Sequence, residues 1–260
     1  MIYNALYFYD YNVFLKSSPK DFTNVFRIYL PHMAFSNNYV KTYLSELIKS
    51  GRNNPEIIAV LPYVNKGNEK SKFESNFSET YNLADGFMIG NIGDIVFLKT
   101  LKDNISEEKI LCGDYSLNIL NSTSSDLWAE KGLHSITLLP EAESDEITEL
   151  ANSTNNITPE IICCGRVIVM RSEHCFISTS PRFHCGKCGK DGYAGYSLSD
   201  HLKNTFPILG CPDDCRNIVL SSKQISISVD KIKKQLCKSC ILRYNIFNDD
   251  DLKQKGWLQL

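Results

Sequence analysis

Short runs rich in β-branched and aromatic residues recur along the first two thirds of the chain. Each is followed by a turn and then by apolar residues at helical spacing. The runs are residues 26–30, 57–61, 86–90, 109–113, 134–139 and 160–164. They start about every 23 to 31 residues, the length that a strand, a helix and two short loops require. Between them, Val40, Tyr43, Leu44, Leu47 and Ile48 form one helical apolar face, with Gly51 where a left-handed cap is expected. Ile92, Ile95, Val96 and Leu101 form a second, and a third begins near Ser124 with Leu127 and Trp128. A fourth runs from Ser144 through Ile147 to Leu150, with Glu143, Asp145 and Glu146 at its positive amino end.

Strands alternating with helices imply a parallel sheet with helices outside. Counting residues 2–8 as the first strand and 241–247 as the last gives about eight, which predicts one α/β domain over residues 1–260, a TIM-like (β/α)8 barrel. No glycine-rich phosphate loop follows the first strand, and Gly90-Asn-Ile-Gly93 is too short a match to count. A nucleotide-binding fold is disfavoured.

Two stretches break the rhythm. Residues 64–80 are polar and read as a loop or exposed helix with no assigned chemistry. Residues 173–222 are dense in Cys, Gly, Asp and His, and Tyr196-Ser-Leu-Ser-Asp200 is their only orderly part before Phe206-Pro-Ile. So loop-rich an insert needs something other than a large apolar core to hold it.

Composition narrows the classes. In 260 residues, 43% hydrophobic and 22% charged positions exclude a collagen-like, coiled-coil or wholly disordered chain. Lys+Arg 28 against Asp+Glu 30 leaves a net charge of −2 and no global basic field for nucleic acid. The one basic run, Lys231, Lys233, Lys234 and Lys238, reads as a solvated helix face. No stretch approaches the roughly 20 apolar residues of a spanning helix, and the amino terminus carries neither a basic leader nor a small-residue cleavage site, which predicts a cytoplasmic protein without membrane insertion.

In a reducing compartment, ten cysteines ask for metal or redox chemistry where they cluster. Cys112, Cys163 and Cys164 lie in apolar runs and read as packing. The other seven (Cys175, Cys185, Cys188, Cys211, Cys215, Cys237 and Cys240) lie in the last third. In Cys185-Gly-Lys-Cys188 the intervening residues let the backbone reverse, so two thiolates meet one atom, and two more complete four. Zinc and a [4Fe–4S] cube both fit that count. His184 is a conceivable alternative ligand. Cys175 follows the strand run 166–170, at the carboxyl end where barrel chemistry is placed. Cys237-Lys-Ser-Cys240 is a second such pair, for which packing is preferred over a redox pair or a metal half-site.

The polar residues at or just past predicted strand ends are the other candidates. Glu173, His174, Asp114 and Arg166 are the candidate catalytic groups, and Asn118 and Glu141 the candidate substrate contacts. His174 would act on a cluster sulfur or its approach. Each has a plainer reading: Asp114 and Asn118 as turn caps, Arg166 as a partner to a carboxylate, Glu141 at a helix start. Neither a His-Glu-x-x-His zinc motif nor a Gly-x-Ser-x-Gly elbow occurs.

At these residues the sequence resembles peptidase family U32, the collagenase-like peptidases, and in particular the carboxy-terminal barrel unit of their long members. The stretches that carry the resemblance are Gly113-Asp-Tyr-Ser-Leu-Asn118, Thr137-Leu-Leu-Pro-Glu141, Gly165-Arg-Val-Ile-Val-Met170, Glu173-His-Cys175, Cys185-Gly-Lys-Cys188, Tyr196-Ser-Leu-Ser-Asp200, Phe206-Pro-Ile and Cys215-Arg-Asn217. Together they span roughly residues 55 to 247. The resemblance implies a TIM-like barrel whose ligands, carried over by motif, are Cys175, Cys185, Cys188 and Cys215, with Cys211 as the alternative. It implies a [4Fe–4S] cluster, with zinc as the alternative. Its relatives are called peptidases or collagenases, while others hydroxylate RNA bases or a quinone precursor without oxygen. The expected substrate is therefore a peptide, an RNA base or a small aromatic molecule, and a zinc-stabilised module that binds a peptide or partner chain is the non-enzymatic alternative. The sequence departs from the pattern at His201, where an Arg is usual, at Ser221-Ser222, and in lacking the second barrel of long relatives, which leaves room for a separate partner chain.

Overall fold

The computed structural model describes residues 1–49, 54–62, 64–101, 109–179, 195–211 and 214–254. The chain starts with β1 (Ile2–Phe8) and α1 (Tyr11–Phe14), whose amino end is capped by the Asp10 side chain. Then come β2 (Arg27–Pro31), α2 (Asn38–Lys49), β3 (Glu56–Val60), α3 (Gly67–Ser75), α4 (Phe77–Leu83), β4 (Gly86–Ile89), α5 (Ile92–Leu101), β5 (Ile110–Gly113), α6 (Ser122–Glu130), β6 (Ser135–Thr137), α7 (Ser144–Ser153) and β7 (Thr158–Gly165). There the alternation stops for β8 (Ile168–Ser172), α8 (Phe176–Thr179), β9 (Tyr196–Ser199), β10 (Thr205–Cys211), β11 (Arg216–Leu220) and β12 (Ile225–Ser226). It resumes with α9 (Val229–Gln235), β13 (Cys240–Ile246) and α10 (Asp249–Gln254).

Strands β1 to β7 pair in parallel with their sequence neighbours, β7 pairs with β13, and β13 pairs with β1 from Ile2↔Cys240 to Phe8↔Ile246. The eight-stranded parallel barrel closes, as the repeat length predicts. Alternate residues divide between two environments. Leu6, Phe8, Ile28, Leu30, Ile57, Ala59, Leu242 and Ile246 join the core between strands and helices. Tyr7, Tyr29, Ile58, Met88, Cys112 and Ile241 belong to a second core inside the barrel.

The barrel interior is unusually polar for a packed core. Arg243, 1% exposed, places Nη1 3.2 Å from Asp114 Oδ1 and 3.4 Å from Glu160 Oε1. Its guanidinium lies 4.0 Å from the centre of the Tyr7 ring. Thr137 donates to Glu160 at 3.0 Å, and Tyr29 also donates its hydroxyl to that carboxylate. One layer below, Arg27 donates to Ser135 at 2.7 Å and to Glu56 at 2.8 Å. Each buried charge therefore meets an opposite charge and hydrogen bonds, the condition under which burial is tolerated.

The described residues of the insert after β7 form more regular structure than its composition suggests. Its strands form an antiparallel sheet in the order β8-β11-β10-β9. Leu209, Cys211, Ile218 and Leu220 on that sheet pack into the barrel's inner core with Tyr7, Tyr9 and Val60. An apolar face, which the sequence reading did not grant the insert, thus seats this sheet as a cap. Polar ties add to it at the carboxyl ends of β1, β5, β7 and β13. Tyr9 and Asn245 donate to the Arg166 carbonyl at 2.9 and 2.7 Å, and the Tyr115 hydroxyl exchanges hydrogen bonds with the Ile168 backbone at 2.9 and 3.2 Å. Gly165, at φ 104°, makes the turn out of β7; a Cβ there would lie 2.2 Å from the Asn245 carbonyl oxygen.

Residues 64–80 are mostly helical, one of the two forms expected, but not wholly exposed. They form α3 and α4, and their inner face buries Glu69, Phe73, Phe77 and Tyr81. No helix among the described residues is long and apolar enough to cross a membrane.

Candidate functional site at the cap of the barrel

The strand pairing gathers cysteines that are far apart in sequence. In the β10–β11 hairpin Cys211 lies opposite Arg216, and in the β11–β8 pair Asn217 lies opposite Ser172. Cys211, Cys215 and Cys175 therefore share one end of the cap. Cys215 turns the hairpin in a left-handed conformation, φ 53°. Half-buried Cys175 accepts the Ser178 N–H at 3.4 Å, and the Phe176 N–H donates to Asn217 Oδ1 at 2.6 Å, which fixes the start of α8 against β11. Cys215 is exposed and Cys211 buried.

A chain of charges fastens this end of the cap to the barrel. Asp214 accepts from the Asn68 and Glu69 N–H groups at 2.8 and 2.9 Å, at the amino end of α3. Arg216 Nη1 lies 3.1 Å from Asp214 and 3.3 Å from Glu69, and its Nε lies 3.7 Å from Glu173. Glu173 also meets Lys66 at 2.7 Å, and Glu69 meets His32 Nε2 at 3.7 Å. Asp214 loses some solvation here, but the two backbone donors and Arg216 outweigh that loss and hold its carboxyl below the usual range. Beside the chain, His32, Glu69, Tyr9 and Cys211 line a cavity of about 30 Å³, room for one water.

The expected site residues are distributed unevenly. Asp114 is buried between barrel and cap, with Oδ1 on Arg243 and Oδ2 3.9 Å from Arg171 of β8. Glu173 is exposed and engaged by two cations. His174 is exposed, with its ring edge-on to Phe176 at 5.7 Å. Arg166 Nη1 donates to the carbonyls of Ser221 and Ser222 at 2.5 and 2.6 Å, a tie within the cap rather than a pair with a carboxylate. Asn118 is exposed at φ 54° after a short helical turn, and Glu141 is exposed beyond β6. The capping role at α7 belongs to Glu143 and Glu146. Cys185, Cys188 and His184 lie outside the described residues, as does Gly51. Among the described residues no three His, Cys, Asp or Glu side chains converge as a metal site.

Cys112 and Cys163 are buried, as expected for packing, and Cys164 is half-buried. Cys240 is buried in the same outer core as Cys163 while Cys237 is exposed, so the second Cys-x-x-Cys divides between interior and solvent. Burial, with Glu160 nearby, pushes the Cys240 thiol up to about 12. Among the helix-face lysines, Lys231 pairs with Asp145 at 2.7 Å.

The sequence reading missed Glu69, Asp214, Arg216, Arg171, Glu160 and Arg243. For Glu69 a signal exists: residues 69, 73, 77 and 81 repeat at the spacing of one helical face.

Comparison with known proteins places these observations. The model of peptidase family U32 matches residues 34–243. No curated protein matches the chain. Among solved structures the chain is similar to a U32 peptidase, with 10% identity over 64% of this chain and 70% of that one and a TM-score of 0.42. It is similar to a thiamine phosphate pyrophosphorylase from Pyrococcus furiosus, with 10% identity over 62% and 74% and a TM-score of 0.38. It is also similar to the C-terminal domain of a putative chitinase from Desulfitobacterium hafniense, with 10% identity over 99% and 98% and a TM-score of 0.40.

Proposed function

This chain belongs to peptidase family U32, and from that premise we propose that it is an iron–sulfur enzyme whose ligands are Cys175, Cys185, Cys188 and Cys215. One observation carries the reading: Cys175 and Cys215 stand at the same end of a cap that closes the carboxyl end of the barrel. Four thiols in one loop-rich segment suit a [4Fe–4S] cube, and the Ser178 N–H on Cys175 is the kind of donor that stabilises a ligating thiolate. Bound there, the cluster would supply one-electron chemistry or Lewis acidity to a substrate at the barrel mouth. Among the chain's own residues, Arg216 and Lys66 set cations beside the ligand turn. Asp114 and Arg171 form the polar pair that would orient an amide or ring-carbonyl edge. The reaction class is oxygen-independent hydroxylation, or a related modification, of an RNA base or small aromatic molecule.

Protein purified without oxygen tests the proposal. About four irons with matching sulfide per chain, lost in Cys188→Ser and kept in Cys211→Ser, is the expected result. One zinc without iron overturns it, and so does iron that survives Cys188→Ser. Peptide hydrolysis, the activity in the family's name, is the second reading. Turnover of a labelled gelatin substrate by metal-free protein, abolished by Glu173→Gln, would favour it over the cluster enzyme.

A further inference from the structure

The helical exterior of the barrel carries a groove between the start of α6 and the length of α7. Its volume is about 450 Å³, and its described lining residues all come from 119–153, a stretch described throughout. Ile119, Leu138 and Ile147 are buried in the outer core and form its floor. Leu139 and Leu150 are half-buried on its walls, and Leu120 stands 64% exposed at its edge. A single exposed leucine is ordinary on a protein surface, but one continuous with an apolar groove gives a partner's side chains a place to be buried.

The rim of the groove is acidic. Glu146 and Glu149 line it, both exposed, and Glu146 accepts the Glu143 N–H at 3.0 Å. Residues 132–165 contain no Lys or Arg, while Glu141, Glu143 and Asp145 add charge of the same sign. Among the described residues no ion pair engages Glu146 or Glu149, whereas Asp145 meets Lys231 at 2.7 Å. That contrast divides α7 into two flanks. Residues 145, 148 and 152 share one helical face, and α9 of the same chain occupies it: Thr148 and Asn152 donate to Gln235 at 3.4 and 2.9 Å, beside the Lys231 pair. In doing so α9 buries Ile232 and sets a lysine on an acid. Residues 146, 149, 150 and 153 share the other flank, and all four line the groove.

We propose that this groove docks a basic amphipathic helix of a partner protein. Its apolar residues would enter between Leu120, Leu139 and Leu150, and its Lys or Arg side chains would meet Glu146 and Glu149. Charge complementarity selects this occupant: an acidic helix would meet like charge, and a basic segment without an apolar face would leave the groove floor uncovered. No cysteine is among the described lining residues, so the proposal does not rest on the metal reading.

Fluorescence anisotropy of the full chain with a labelled, end-blocked helical peptide of leucine and lysine at amphipathic spacing tests the proposal. One saturable site is expected, with binding roughly tenfold weaker for the same pattern carrying Glu in place of Lys and for a lysine-matched peptide carrying Ser in place of Leu. Leu120 and Glu149 are exposed, and Leu120→Ser/Glu149→Lys should weaken the leucine–lysine peptide roughly tenfold with the far-ultraviolet spectrum unchanged. Glu46→Lys, an equal change of charge at an exposed position on α2, should leave binding intact. Equal binding of either comparison peptide, binding unchanged in the double variant, or an equal loss in Glu46→Lys overturns the proposal. Sedimentation showing a dimer that the double variant dissociates would give the groove to a second copy of the chain and overturn it as well.

Discussion

Arg243 concentrates the cost of the barrel's polar interior in one side chain. Burial alone would lower its pKa, yet Asp114 and Glu160 more than reverse that and keep it charged. Arg243→Met would fill much of the volume but leave both carboxylates without their buried cation. A loss of about 3–5 kcal/mol in urea-induced unfolding is expected, and Lys at this position would restore little because it lacks the planar fork. A change under 1 kcal/mol would show that the carboxylates find other partners. The cysteines differ from one another on the same ground. Cys240, with its thiol pushed up to about 12 by burial, holds almost no thiolate near neutrality, whereas Cys237 is exposed. Iodoacetamide should alkylate the exposed Cys237 in the native protein and spare the buried Cys240, as peptide mass spectrometry would read.

Asp214 shows how a cap is fastened to a helix. It closes the amino end of α3 and pairs with Arg216, so β11 and α3 are held by one carboxylate. Because its folded pKa is depressed, its contribution is present above the unfolded value of about 4 and is lost as pH falls through the lower folded value. Urea unfolding followed from about pH 6 to about pH 3 should show stability falling with acid, and Asp214→Asn should flatten that dependence while lowering stability at neutral pH. An unchanged slope would remove Asp214 from the fastening. This element was only partly legible. Asn65, Lys66, Asn68 and the polar residues at 70–72 hid a helical face at Glu69, Phe73 and Phe77, because the composition of a window hides its periodicity. The charge chain through Arg216 was illegible for a different reason: Lys66 and Glu69 on the barrel side lie more than a hundred residues from Glu173, Asp214 and Arg216 on the cap side, and only the docking of the cap brings them together.

At the scale of the whole molecule, the two parts differ in how locally they are encoded. Each barrel strand carries its own apolar run and all but β7 lead on to a helix, so the sequence repeats the unit and the closed barrel can be read from it. The cap sheet has no such unit. β9 and the exposed part of β8 alternate or face solvent, and only β10 and β11 are strongly buried, against barrel residues distant in sequence. That asymmetry predicts what a bound metal would hold in place. Leu209, Ile218 and Leu220 seat β10 and β11 on the barrel core without any ligand, while Cys175 follows β8, whose middle residues are exposed. If the proposed cysteines hold a metal, stripping it should therefore leave amide exchange in β10 and β11 slow and raise it at residues 172–179 and 195–199. Hydrogen exchange on metal-loaded and chelated protein, read by mass spectrometry, would show the two behaviours separately. A uniform rise across 168–220 would mean that the proposed metal, rather than the apolar face, seats the whole cap, and no change anywhere would show that a metal does not hold the cap in place.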